Sequence, residues 1–138
     1  MKHILVPYDG SAQAEKAFDL ALDFATKYQS GITVLAIARL PEPHEDEETE
    51  AELEAAEKHY KELFKKLTTK AQALAVSNLS FEVKVGHPAE QIIYYAENND
   101  IDHIVMGHRG NTFFHRLLLG SVAKQVMIYA HCAITIVR

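Results

Sequence analysis

Covalent cross-links and membrane-spanning runs are both missing from this sequence. Cys132 is the one cysteine, so no internal disulfide can form and nothing points to an oxidising compartment. No apolar run approaches the ~20 residues that a membrane-spanning helix needs. The opening Met1-Lys2-His3-Ile4 enters apolar sequence at once but meets Pro7, Asp9 and Gly10 too early for a secretory leader. There is no stripe of lysine and arginine with interleaved aromatics, which argues against a nucleic-acid partner. The expectation is a cytoplasmic protein whose partners include neither membrane nor nucleic acid.

What is present suits a folded domain. The chain has 138 residues, 48% of them hydrophobic and 24% charged, the balance of one globular domain spanning residues 1–138. The net charge of −5 is unevenly placed. Nine acidic residues fall between Glu42 and Glu57 with no lysine or arginine among them, and taking them away leaves a body of +4. A mildly basic body suits an anionic small ligand. The acidic run itself reads as a solvated loop and helix start.

Hydrophobic periodicity then orders the elements. Lys2 to Val6 is a short apolar run stopped by Pro7, Asp9 and Gly10, which predicts a buried strand. Ala14, Ala17, Phe18, Ala21, Leu22, Ala25 and Tyr28 recur at helical spacing, with Asp9 or Ser11 as the cap. Ile32 to Ile37 is a second branched apolar run, and Leu53 to Leu74 carries a long helical pattern. Leu79 to Val85 alternates apolar and polar residues, which suits an edge strand. Pro88 opens a third helix bearing Ile92, Ile93 and Ala96. His103 to Met106, ending at Gly107, is a fourth strand; Ser121 to Ala130 is a fourth helix; Ala133 to Val137 is the last strand. Strict alternation of strand and helix predicts a doubly wound, Rossmann-like α/β fold with a parallel sheet and helices on both faces. Ligands in such sheets sit beyond the carboxyl ends of the strands where the order reverses. The segments to inspect therefore follow Val6, Ile37 and Met106.

The first of these reads Pro7-Tyr8-Asp9-Gly10-Ser11, in which Asp9 could accept hydrogen bonds from a ribose diol or simply cap a helix. The third reads Gly107-His108-Arg109-Gly110, then nine residues, then Gly120-Ser121 at the start of the last helix. Gly107 and Gly110 let the backbone turn close to a ligand. Gly120 and Ser121 would place free amides at a helix N-terminus, where the dipole favours phosphate. Arg109 can add charge, and the Ser121 hydroxyl a donor or a route to Mg²⁺.

These residues resemble the universal stress protein family, specifically its ATP-binding branch, whose hallmark G-x2-G-x9-G-(S/T) matches Gly107, Gly110, Gly120 and Ser121 without a gap. The opening Ile4 to Ser11, the junction Gly86 to Ile93 and the closing Cys132 to Arg138 are similar to the family's own, in order and over essentially the whole chain. The resemblance implies a five-stranded parallel sheet of order 3-2-1-4-5 and a homodimer formed by pairing the C-terminal strands. It implies an adenine nucleotide, ATP with Mg or Mn, as ligand. Pro7 and Ile37 would lie against the adenine and Asp9 on the ribose. Met106, Gly107, His108, Arg109, Gly110, Asn111 and Thr112, with Gly120, Ser121 and Val122, would wrap the ribose and phosphates. Two departures stand out. Ala133 replaces a common proline, and the nine-residue insert holds Phe113, Phe114, Leu117, Leu118 and Leu119, apolar enough for a partner surface.

Other chemistries find less support. Eight histidines include His44 and His59 around the acidic run and His108 and His115 seven apart, but none has the tight spacing of a metal pair. A Walker A sequence is missing, and no G-x-G-x-x-G follows a strand. Asp9 lacks the acidic neighbour of a phospho-receiver, and no base is evident to activate water at a γ-phosphate. The sequence therefore reads as an ATP-binding regulatory or stress-response protein with no catalytic residue. The alternatives are a nucleotide-independent dimeric interaction module and a slow ATPase.

Overall fold

Strand β1, His3–Pro7, lies at the centre of a five-stranded parallel sheet of order β3-β2-β1-β4-β5 in a computed structural model, which describes residues 1–109 and 119–138. Its partners are β2, Gly31–Ala38, and β4, His103–Gly107, so both of its edges are hydrogen-bonded. β3, Leu79–Val85, pairs with β2, and β5, Ala133–Val137, pairs with β4. The alternating strand is thus at an edge, as its polar positions predict, and the fold is the doubly wound architecture read from the sequence.

Side chains alternate between the two faces of a strand, and the core divides accordingly. Ile4 and Val6 of β1 join Val34 of β2 and Val105 of β4 beneath α1, Ala12–Tyr28, and α2, Asp46–Ala73. Phe18 and Leu67, fully buried, are the large contributions from those helices. Leu5, Leu35, Ile104 and Met106 point the other way, against Ile92 of α3, Pro88–Asn98, and Val126 of α4, Ser121–Tyr129. A central strand covered on both faces has no polar side, which is why these runs read as continuous hydrophobic sequence.

Local chemistry sets the ends of the helices. The Ser11 hydroxyl accepts from the Ala14 amide at 3.1 Å, and Asp9 Oδ1 accepts from the Ser11 amide at 2.9 Å. Ser11 is therefore the cap, with Asp9 bracing the turn before it. α2 starts two turns before its apolar pattern. Glu45 and Glu48 form a capping box at its entry, and Asp46, Glu47 and Glu48 fill the first turn, where the helix dipole favours negative charge. Most of the acidic run is thus helix, and its first buried residue is Ala56.

Candidate functional site

β1, β2 and β4 end on the same side of the sheet, and the order reverses there: the chain runs outward through β2 and β3, then crosses β1 to begin β4. A cavity of about 370 Å³ opens at this point, within the size range of small-molecule sites. Pro7 and Asp9 come to it from the end of β1, Ile37 from β2, and Met106, Gly107 and Arg109 from β4. Gly120, Ser121 and Val122 close the far side from the first turn of α4. Nine of the thirteen residues named from the sequence therefore line one cavity.

Four do not. Gly110, Asn111 and Thr112, with the apolar insert that follows, lie outside the described residues. His108 is buried but does not line the cavity. Its amide continues the ladder to β5 by donating to the Val137 carbonyl at 2.8 Å, and its Nδ1 lies 3.3 Å from the same oxygen. That carbonyl can only accept, so Nδ1 carries the proton, and the buried Nε2 has no partner among the described residues.

The two described glycines of the motif have steric reasons to be glycine. A Cβ on Gly107 would come 2.7 Å from Gln13 Cβ on α1. A Cβ on Gly120 would come 3.1 Å from the His108 carbonyl oxygen, because the strand-to-helix loop closes on itself there. The expectation of a free Gly120 amide is not met: it donates to His108 O at 2.6 Å. Within α4 the Lys124 amide donates to Gly120 O at 2.9 Å, leaving the Ser121, Val122 and Ala123 amides of the first turn without a partner among the described residues. The anion cradle thus begins one residue later than the motif suggests. Arg109 stands beside it with positive charge.

The opposite wall is built by Tyr8. Its ring is buried, edge-on to Tyr60 at 6.4 Å and tilted against Phe64 at 6.5 Å. Its hydroxyl donates to Glu15 Oε1, and Lys70 Nζ holds Glu15 Oε2 at 3.0 Å and Asp19 at 2.9 Å. Burial, reinforced by the Glu15 carboxylate, raises the Tyr8 phenol well above its ordinary value. Burial acts against the charge on Glu15, but the hydrogen bonds from Tyr8 and Lys70 outweigh it and leave the carboxyl below the usual range.

Pro88 and Ile92 of α3, Tyr8, and Arg39 just beyond β2 also line the cavity, and sequence reasoning did not assign them to it. For Arg39 the signal was its place two positions past Ile37, at the same end of the sheet. Among the described residues no group of three His, Cys, Asp or Glu side chains could hold a metal ion, and no helix is long and apolar enough to cross a membrane.

A family model described as the universal stress protein family matches residues 1–138. A universal stress protein of Methanocaldococcus jannaschii is 32% identical over 99% of this chain and 82% of its own length. Universal stress protein UspA from Lactobacillus plantarum superposes with a TM-score of 0.88 at 30% identity, covering 99% of this chain and 97% of that one. The universal stress protein of Archaeoglobus fulgidus in complex with dAMP has a TM-score of 0.62 at 20% identity, covering 100% and 98% of the two chains. Two more of this fold were solved with cAMP and with AMP, at TM-scores of 0.73 and 0.63. Identities of 21% and 16% in those two, like the 20% above, speak to the fold alone. With the family model spanning every residue and the same architecture in a relative at 30% identity, the chain belongs to the universal stress protein family.

Proposed function

We propose that this chain is an ATP-binding regulatory protein of the stress response, a single cytoplasmic domain of residues 1–138 acting as a homodimer through β5. The observation that carries the nucleotide reading is the first turn of α4: Ser121, Val122 and Ala123, whose amides have no partner among the described residues, line a cavity together with Arg109 and Asp9. Amides and helix dipole suit phosphate, and a carboxylate across the cavity suits a ribose diol. Pro7 and Ile37 supply apolar wall for a base. The neighbours solved with dAMP, cAMP or AMP support an adenine nucleotide as the ligand class.

The residues fit a nucleotide with Mg or Mn. The Ser121 hydroxyl, at the first position of α4, would reach a phosphate-bound ion, which would neutralise charge on the phosphates. Among the described residues Asp9 is the one acidic residue lining the cavity, and its place beside β1 suits ribose rather than an attacking water. Binding with at most slow hydrolysis follows, a regulatory rather than a metabolic use of ATP.

The test is the nucleotide content of protein purified without added ligand, denatured and resolved by anion exchange. Co-purified ATP supports the reading, and a mixture rich in ADP would favour the slow ATPase. No nucleotide, followed by no calorimetric binding of ATP with Mg²⁺, would leave the nucleotide-independent interaction module. Sedimentation analysis of the same sample tests the dimer.

A further inference from the structure

Among the described residues two arginines line the cavity, and they follow different strands. Arg109 follows β4 beside the first turn of α4, whereas Arg39 follows β2, with β1 and Asp9 between them. Strands two apart in a sheet are separated by roughly 10 Å, so Arg39 sits across the cavity from the amides of Ser121 to Ala123. The same cavity is lined by the apolar side chains of Pro7, Leu35, Ile37, Pro88 and Ile92. Arg39 is exposed and makes no hydrogen bond or ion pair with the described residues. A guanidinium without a partner among the described residues, in a cavity with this much apolar lining, is available to a ligand.

We propose that Arg39 is a base-stacking residue, its guanidinium closing its side of the cavity by lying over the outer face of the ligand's purine ring. The inference rests on the nucleotide reading and deepens it by naming what holds the base. A guanidinium is planar, weakly hydrated and stacks on aromatic faces, which an ammonium does less well. With phosphates anchored at α4 and ribose at Asp9, the base falls between the wall of Pro7 and Ile37 and the arginine. Phosphates are out of reach from there. Arg39 therefore contributes equally to adenosine and to its mono- and triphosphates.

The experiment is calorimetric titration of the full chain and its Arg39→Ala and Arg39→Lys variants with adenosine, AMP and ATP. Because the side chain is exposed, both variants keep the unfolding midpoint of the parent. Arg39→Ala weakens all three ligands by the same factor, about twofold to fivefold, and Arg39→Lys recovers part of that. A loss that grows with phosphate number would make Arg39 a phosphate ligand and overturn the proposal, as would no loss at all. If the unsubstituted chain binds none of the three, the nucleotide reading falls and takes this one with it. Binding that Arg39→Ala leaves unchanged removes the role of Arg39 alone.

Discussion

Lys70 Nζ lies 3.0 Å from Glu15 Oε2, tying α2 to the first turn of α1 across 55 residues of sequence. Through the other oxygen of Glu15 the tie continues to the Tyr8 hydroxyl, next to Asp9 on the cavity wall. A residue far along the chain thus helps fix where Asp9 stands. The Lys70 side chain is 43% exposed, so its ion pairs alone contribute little. The buried Tyr8 hydroxyl matters more. Tyr8→Phe should lower stability by about 1 kcal/mol, read as a shift in urea midpoint at constant slope, with Lys70→Met costing less. Equal costs would mean that the surface pairs, and not the phenol, anchor the loop.

Asp9→Asn separates loop bracing from ligand binding. The amide keeps an oxygen for the Ser11 amide but removes the charge offered to the ribose. Affinity for ATP should fall about tenfold, the size of a charge-assisted hydrogen bond, with little change in thermal midpoint. The parent should also prefer ATP over 2′-deoxy-ATP, and the variant should lose most of that preference. A preference that survives the substitution would move the ribose away from Asp9.

Gly107→Ala tests the close approach of β4 to α1. The added methyl would stand 2.7 Å from Gln13 Cβ and 3.1 Å from Gln13 backbone carbon, so the helix itself must shift. A cost of about 1–3 kcal/mol in denaturant unfolding is expected, as for overpacked cores. A near-neutral result would mean α1 is free to move at its first turn.

Acid should destabilise the protein in two steps. Burial holds the His103 imidazole below its ordinary 6.5, although the neighbouring Asp102 carboxylate pulls the other way. The unfolded chain then binds more protons than the folded one once pH falls below about 6.5, so stability declines from there. Glu15 and Asp102 are held below their ordinary values and add a second decline only in the carboxylate range. His103→Gln, which can keep the 2.7 Å contact with Thr135 Oγ1, should flatten the first step of a stability–pH profile and leave the second.

Strands proved more legible than the helix entries and the site's side walls. β3 and β5 have the boundaries read from Leu79 to Val85 and Ala133 to Val137, because strict alternation in the first and a short branched apolar run in the second are visible in the sequence. The start of α2 left none. Residues 46–55 include no fully buried residue, and what favours helix there is the Glu45–Glu48 box and the charge of the first turn. The strand-end residues Pro7, Asp9 and Ile37 were recoverable because a parallel sheet puts its sites at those ends. Arg39, Pro88 and Ile92 reach the cavity by tertiary placement, which one-dimensional spacing does not encode. His108 follows the same rule in reverse: its backbone pairing with Val137 turned a motif residue away from the cavity.

The cavity draws its walls from residues 7–39 and, much later in the chain, from Pro88, Ile92, the end of β4 and the first turn of α4, with β1 and β4 adjacent at its floor. Neither group can form it before the other is in place. A ribosome must release most of the chain before any ligand has somewhere to go, and no early fragment can be captured by one. Once the sheet is closed, the same arrangement makes a bound molecule a clasp between distant parts of the sequence. Its binding free energy then opposes global unfolding rather than the loosening of a loop, rising with free ligand concentration as mass action requires. Cellular lifetime of the protein would follow the supply of whatever it holds.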